Sequence, residues 1–207
     1  MLYSRKGKRV VDLVLAWSGL MLLAVPMLVI ALCIKLTSKG PVFFEQGRVG
    51  RGGKIFVFRK FRTMTSNHGN PSTITVRGDH RVFPFGRLLR RYKLDELPQL
   101  WNVLLGEMSF VGYRPDVPGY YDNLQGPERR ILLLRPGITG PSTIKYSNEE
   151  ILLARQEDPL RFNDEVIFPD KIRMNLEYME QCSFMYDLYW IWKTLGSAIR
   201  TTPSPLS

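Results

Sequence analysis

The feature that most constrains the fold of this chain is an apolar run without a charged residue from Leu13 to Ile34. A run of about 20 apolar residues is long enough for a transmembrane helix. It is longer than the roughly 7 to 15 residues of a signal-peptide core, and no small-x-small cleavage site follows it. The sequence therefore predicts a membrane helix that stays in the protein. Basic residues flank the run on both sides: Arg5, Lys6, Lys8 and Arg9 before it, Lys35 and Lys39 after it.

Two membrane topologies are open for this helix. Pro26 lies in mid-run, where its missing N–H predicts a kink. The arms from Val10 to Val25 and from Pro26 to Leu36 reach roughly 24 Å and 16 Å, so neither alone crosses a core of about 30 Å. A spanning helix would also place one basic cluster on the side that positive charge avoids. These features favour a re-entrant helix with both ends in the cytoplasm, although proline also occurs in spanning helices.

Length and composition limit what the rest of the chain can do. The 207 residues are enough for one catalytic domain, and the net charge of +10 favours an anionic partner: nucleic acid, nucleotide phosphates or acidic lipids. No helix-turn-helix, zinc or RNP-like pattern is present, so we expect no nucleic-acid partner. Cys33 and Cys182 form no CxxC pair and only two histidines occur, which argues against a zinc site or a disulfide framework.

The pattern after the membrane run predicts an α+β fold, a small and mostly helical domain with a short β-hairpin and interfacial amphipathic helices. A glycine-rich turn at 47–53 precedes an alternating strand that places Phe56, Phe58, Lys60 and Arg62 on one face. The turn could cradle a phosphate, but an ordinary hairpin turn is the more common case. Residues 66–81 are predicted to be a loop. We predict helices at 85–92, 94–108, 127–137 and 183–200, a capping box between Ser147 and Glu150, and domain ranges of 1–36 and 37–207.

Adjacent carboxylates at Asp95 and Glu96 are the strongest candidates for chemistry. Carboxylates at a helix start are ordinary caps, and Asp95 is a plausible N-cap. Their surroundings favour more, because a carboxylate that attacks a diphosphate needs cations, and in general a divalent metal, to neutralise the approach. Such an attack would form an acyl-phosphate and divide one transfer into two displacements. The basic residues around the pair are Arg87, Arg90, Arg91, Lys93 and Arg114.

With these residues the chain resembles the bacterial sugar transferases known as monotopic phosphoglycosyl transferases, in their minimal form of one re-entrant helix and one catalytic domain. The matching segments are FEQGRVG, FRKFRTM, GRLLRRYKLDELPQLWNVLLGEMSFVGYRP and LRPGITG. The resemblance implies that Asp95 attacks a UDP-sugar, releases UMP and holds magnesium, with Glu96 in support. A polyprenol (undecaprenyl) phosphate would then take the sugar phosphate at the cytoplasmic face of the bacterial inner membrane. Implied substrate-binding residues are Lys60, Arg62, Arg90, Arg114 and Arg135.

Three positions depart from the family's pattern. Val25-Pro26 replaces Ser-Pro at the membrane kink, Tyr113 replaces proline before Arg114, and Asn175 aligns with an active-site aspartate of some members. The sugar therefore stays open, as does association of two copies into a homodimer. Two other functions compete: a membrane-tethered basic scaffold that binds acidic lipids or nucleic acid, and an ordinary glycosyl transferase that releases UDP.

Overall fold

A computed structural model describes residues 6–65 and 81–199, with side chains up to residue 196. The predicted loop at 66–81 therefore lies outside the described residues except for its last position. The α-helices are α1 (Lys8–Thr37), α2 (Pro84–Arg91), α3 (Gln99–Leu105), α4 (Pro141–Lys145), α5 (Glu149–Leu153), α6 (Pro159–Phe162), α7 (Phe168–Gln181) and α8 (Phe184–Ile199). The strands are β1 (Phe43–Val49), β2 (Ile55–Phe61), β3 (Ser109–Val111) and β4 (Gly137–Thr139). Helices and two small sheets together confirm the mixed α and β composition.

Helix α1 is the one described helix that is long and apolar enough to cross a membrane. Its 30 residues correspond to roughly 45 Å of helix. The α-helix continues through Pro26, so the two arms suggested by the sequence belong to one helix. One stripe of α1 packs on the rest of the chain: Ala16 joins a cluster with Phe58 and Met108, and Ile34 joins another with Phe61.

The hairpin confirms the predicted alternation on β2. Strands β1 and β2 pair antiparallel, with Phe44 opposite Lys60. Phe56 and Phe58 are buried, whereas Ile55 and Val57 on the other face are exposed. Gly52 and Gly53, which have positive φ of 70° and 79°, close the connecting turn. The turn is therefore accounted for by hairpin geometry.

A second sheet was not predicted. Strands β3 and β4 pair in parallel, with Ser109 opposite Gly137. Three-residue strands are too short to show an alternating pattern in sequence. They pair because distant parts of the chain meet, and the backbone N–H of Gly137 also donates to the carbonyl of Tyr113 at 2.8 Å.

The predicted helix at 94–108 is wrong in its first turn. Leu94–Glu96 form a 3₁₀ turn, and α3 begins only at Gln99. Asp95 is not an N-cap, because it lies inside the 3₁₀ turn and no side-chain cap bond is made there. Pro98 cannot donate an α-helical hydrogen bond, and the neighbouring N–H groups bond three residues back, from Leu97 to Leu94 and from Leu100 to Leu97.

Two further local predictions were wrong. The helix expected at 127–137 is a 3₁₀ helix from Gly126 to Leu133, and Leu134, two residues before Pro136, has an extended backbone. The capping box is also absent: α5 starts after Asn148 without a side-chain cap bond. Glu150 instead forms a salt bridge with Arg90 on α2, a tertiary contact that a local pattern cannot predict.

Candidate active site

The two adjacent carboxylates lie in the 3₁₀ turn between α2 and α3. Lys93, which precedes the turn, is the one non-glycine residue with positive φ (57°) in the described chain. A side chain in this left-handed region costs roughly 1 to 3 kcal/mol, and such costs concentrate at functional sites. The left-handed residue redirects the chain at the end of α2, so that Asp95 is buried while Lys93 stays exposed.

Glu96 is fixed by an ion pair. Its carboxylate accepts a hydrogen bond from Arg114 Nη2 at 2.8 Å. Although burial acts to raise it, the charge and hydrogen bond of Arg114 lower the pKa of Glu96 to about 2. The same pairing raises the pKa of Arg114. Glu96 is therefore an ionised, oriented carboxylate whose position depends on Arg114.

Asp95 lies in an environment that shifts its pKa in the direction opposite to that of Glu96. Its side chain is buried, with 6% of the residue exposed, and its Oδ1 has no hydrogen-bond partner among the described residues. Burial, followed by the charge of Glu96, raises the pKa of Asp95, whereas Lys60, Lys93 and Arg90 act to lower it. Asp95 is thus a poorly solvated carboxyl group, one oxygen of which is buried without a hydrogen-bond partner among the described residues.

Three predicted cations do surround this pair. Lys60 reaches it from β2, where its ammonium group lies 5.1 Å from the ring centre of Phe44. Burial lowers the pKa of Lys60, and the charge of Asp95 opposes that shift. Arg90, from α2, acts on the same carboxyl group while it pairs with Glu150. With Arg114, these side chains bring β2, α2 and the strand β3 region to one place.

The structure does not bring Arg62 or Arg135 to the same place. Arg62 is buried at the end of α1, where it donates to the carbonyls of Lys39 and Ser38, the latter at 2.8 Å. Arg135 donates from Nε to the carbonyl of Gly106 at 2.8 Å, just beyond α3. Both arginines satisfy main-chain carbonyls, so in this structure they stabilise the ends of helices.

A divalent cation fits the open oxygen of Asp95. Magnesium prefers oxygen ligands and is commonly held by one or two carboxylates together with substrate phosphates and water. Within residues 6–65 and 81–199, no group of three or more histidine, cysteine, aspartate or glutamate side chains could hold a metal. A cation here would therefore take Asp95 Oδ1, with the remaining ligands from substrate and solvent.

Comparison with known proteins identifies the family of this chain. Residues 3–201 match the bacterial sugar transferase family. The chain belongs to this family. It is 37% identical, over 97% of its length, to a UDP-glucose:undecaprenyl-phosphate glucose-1-phosphate transferase of Caulobacter vibrioides. It is 35% identical over 93% of its length to the enzyme of that name in Escherichia coli K12. A UDP-N-acetylgalactosamine-undecaprenyl-phosphate N-acetylgalactosaminephosphotransferase of Aeromonas hydrophila is 34% identical over 93%.

The lengths of these sugar transferases differ. The present chain spans 70% of the Caulobacter protein, but only 40% and 43% of the Escherichia and Aeromonas proteins. The match nevertheless covers α1, the Asp95 turn and α8 in one stretch. The family assignment therefore applies to the site described above and not to a peripheral segment.

Two of the three departures from the sugar transferase pattern lie in the core. Tyr113 is fully buried, and its ring packs at a tilt of 45° against Tyr121 with ring centres 4.7 Å apart. Its hydroxyl has no partner among the described residues. Asn175 is also buried: it accepts from Ser142 Oγ at 3.0 Å and donates to the Tyr121 hydroxyl at 3.3 Å. Asn175 therefore links α4 and α7 beneath the Tyr121 ring.

Sequence reasoning missed one polar residue of this site. Gln99 is 1% exposed, and neither its amide nitrogen nor its amide oxygen has a partner in the described part of the chain. Its spacing of four residues from Asp95 was the available signal, because residues at that spacing share a helical face.

Proposed function

We propose that this chain is a phosphoglycosyl transferase that moves a sugar 1-phosphate from a UDP-sugar to a polyprenol phosphate, in the first membrane step of glycoconjugate synthesis. The observation that carries the proposal is the contrast within the carboxylate pair. Glu96 is ionised and paired with Arg114, whereas one oxygen of the buried Asp95 has no partner among residues 6–65 and 81–199. Environments that push neighbouring carboxylates apart in pKa divide their chemical roles.

In the first displacement, an oxygen of Asp95 attacks the phosphorus that carries the sugar. A new Asp–O–P bond forms, the bond between the two phosphates breaks, and UMP leaves with the bridging oxygen. A weakly solvated carboxylate needs less removal of water than an exposed one when it approaches a phosphate. Lys60 and Arg90 offset the repulsion between the carboxylate and the charged diphosphate.

In the second displacement, an oxygen of the polyprenol phosphate attacks the same phosphorus. The bond to Asp95 breaks, the carboxylate is regenerated, and a polyprenyl diphosphate sugar is released. We assign Glu96 and Arg114 to positioning the charged phosphates, because their ion pair fixes both side chains beside Asp95. The overall reaction balances as UDP-sugar plus polyprenol phosphate giving polyprenyl diphosphate sugar plus UMP.

The proposed cofactor is magnesium bound at Asp95. The open Oδ1 supports this assignment. When bound, a divalent cation neutralises phosphate charge and lowers the pKa of a carboxyl group that binds it.

The names of the relatives favour this enzyme over the two competing functions. The Caulobacter and Escherichia proteins are named as transferases of glucose 1-phosphate, and the Aeromonas protein as an N-acetylgalactosaminephosphotransferase. A phosphosugar transfer releases UMP, unlike an ordinary glycosyl transfer. A basic scaffold would have no need of an unpaired buried carboxylate.

The packing of α1 supports a position on one face of the membrane. Ala16 and Ile34, roughly 27 Å apart along the helix, both pack on the globular part of the chain. A helix that stands straight across a core of about 30 Å would carry one of these positions to the far side. We therefore propose that both ends of α1 lie at the cytoplasmic face of the inner membrane.

Exposed apolar surface supports the same placement. The side of α1 that faces away from the globular part is exposed, and α8 exposes a second apolar and aromatic surface, with Trp192 77% exposed. Tryptophan and tyrosine at such surfaces are typical of membrane interfaces. The exposed positions are Val14, Met21, Leu28 and Leu32 on α1, and Met185, Tyr189, Trp192 and Leu195 on α8.

Nucleotide release tests the reaction. Detergent-solubilised protein is mixed with magnesium, polyprenol phosphate and a panel of UDP-sugars that includes UDP-glucose and UDP-N-acetylgalactosamine. We expect UMP, and a sugar-phosphate adduct on Asp95 when polyprenol phosphate is omitted. Release of UDP, or UMP release that persists in Asp95→Asn, contradicts the proposal.

Cysteine labelling tests the topology separately. Cys33 and Cys182 are first replaced by serine, and single cysteines are placed at Lys6 and Lys39, which are exposed at the two ends of α1. We expect a membrane-impermeant maleimide to label both positions only after the cells are opened. Labelling of one position from outside intact cells indicates a spanning helix.

A further inference from the structure

Helix α3 carries two buried side-chain amides whose bonding differs. Asn102 is saturated: its Nδ2 donates to the carbonyl of Val57 at 2.7 Å and to Glu107 at 2.6 Å, and its Oδ1 accepts from the backbone N–H of Arg59 at 3.2 Å. Gln99 is as deeply buried, yet neither of its amide atoms is bonded within the described chain. The amide of Asn102 thus makes its hydrogen bonds, whereas the amide of Gln99, one turn away, makes none within the described chain.

The position of Gln99 connects it to the reaction site. Gln99 and Asn102 are both buried and lie three residues apart on α3, which places them on one face. Asp95 is buried in the 3₁₀ turn that precedes α3, four residues before Gln99. Asn102 bonds to β2 beside Arg59, and the next residue of that strand, Lys60, acts on the Asp95 carboxyl group. Along the chain Gln99 therefore lies between Asp95 and Asn102, at the first residue of α3 and on the face from which Asn102 bonds to β2.

An unbonded amide in this position is costly. A carboxamide has two N–H donors and one oxygen acceptor. A buried polar group without a partner loses its hydrogen bonds to water and gains none from the protein. Nearly all buried polar groups in native proteins are bonded, so an exception calls for a ligand or a functional reason. Asp95 Oδ1, four residues earlier, is a second buried atom without a partner among the described residues. The unbonded amide of Gln99 and the unbonded oxygen of Asp95, close together in the chain at the proposed reaction site, indicate polar groups whose partners belong to the substrate.

We propose that Gln99 is a substrate-binding residue of the Asp95 site, whose Nε2 donates a hydrogen bond to a phosphoryl oxygen of the sugar phosphate as it is transferred. The inference rests on the proposed phosphoryl transfer. Phosphoryl oxygens accept hydrogen bonds, and a neutral donor can bind them without forming an ion pair with Asp95 or Glu96. The lysine and arginine residues then neutralise the charge of the phosphates, and the hydrogen bond from Gln99 orients the phosphoryl group.

The test is Gln99→Met, which keeps the shape of the side chain and removes its polar atoms. We expect kcat/KM for UMP release to fall roughly 10- to 100-fold, as for loss of a hydrogen bond to a charged group. We expect the melting temperature without substrate to stay the same or rise, because no unbonded amide is then buried. Gln99→Glu, which replaces the donor with a charged acceptor, should lose at least as much activity.

Asn102→Leu is the matched control. It removes a saturated amide from the same face, so its melting temperature should fall. A fall of the same size in Gln99→Met overturns the inference, since it would mean that the Gln99 amide is bonded in the free protein. Full activity of Gln99→Met beside an active wild type overturns this inference alone. A wild type that releases no UMP overturns the proposed function and with it this inference, whatever the melting temperatures.

Discussion

Two clusters of charged and polar side chains, each with buried members, differ in how fully their polar atoms are paired. In the first, Lys8 pairs with Asp187 and donates to the Tyr178 hydroxyl at 3.1 Å, while Tyr178 donates to Asp187. In the second, Glu96 is paired but Asp95 keeps an open oxygen. The first cluster joins α1 to α7 and α8, and its members satisfy one another. The unpaired oxygen of the second cluster is what a ligand-binding site is expected to show, whereas the first is a structural cluster.

The largest expected effect is on the incomplete cluster. Asp95→Asn should lower UMP release by at least about a thousandfold, because it removes the proposed nucleophile. The melting temperature should not fall, since the substitution removes a poorly solvated charge. A protein that loses activity only because it unfolds would contradict this assignment, and circular dichroism distinguishes the two cases.

The complete cluster should respond in stability. Lys8→Met removes the cation from Asp187 and should lower the free energy of unfolding by about 3 to 5 kcal/mol. The double variant Lys8→Met/Asp187→Leu should recover part of that loss, because Asp187 then no longer leaves an uncompensated buried charge, whereas the buried Asp12 still loses the attraction of Lys8. Denaturation in detergent measures the free energy of unfolding of both variants. A Lys8→Met variant as stable as wild type would show that the Lys8–Asp187 pair does not stabilise the fold.

The Glu96–Arg114 pair should combine both effects at smaller size. Arg114→Met should lower the free energy of unfolding by about 1 to 3 kcal/mol, less than for Lys8 because the Arg114 side chain is 39% exposed. Adding Glu96→Gln should restore stability without restoring UMP release. Recovery of activity in the double variant would mean that neither residue contacts the phosphates.

The smallest effect concerns a surface cluster on α7. Lys145, Tyr146 and Arg173 all donate to Asp170, and they hold the pKa of its carboxyl group below the usual range. A depressed pKa contributes stability above the unfolded value of about 3.9, and that contribution is lost as pH falls through the folded pKa. Asp170→Asn should therefore cost up to about 1 kcal/mol at pH 7, and the difference from wild type should vanish in acid. A difference that persists in acid contradicts this explanation.

The sequence by itself determined the long apolar N-terminal helix, the hairpin alternation and the carboxylate pair. Each depends on local physics: an uninterrupted apolar run, a period of two along a strand, and adjacent residues within one turn. The resemblance of LDELPQLWNVL to known sugar transferases identified the family from the same short segment.

Tertiary structure alone decided which predicted cations meet the carboxylates. Arg62 and Arg135 could not be told from Lys60 and Arg114 by spacing, but the first two are used by main-chain carbonyls at helix ends. It also decided that Glu150 pairs with Arg90 instead of capping α5. The physical reason is the same in each case. A charged side chain pairs with an oppositely charged or polar group that lies close to it, and the packing of distant segments determines which groups lie close. The unbonded amide of Gln99 is visible for the same reason, since only the packed structure shows which buried groups have no partner.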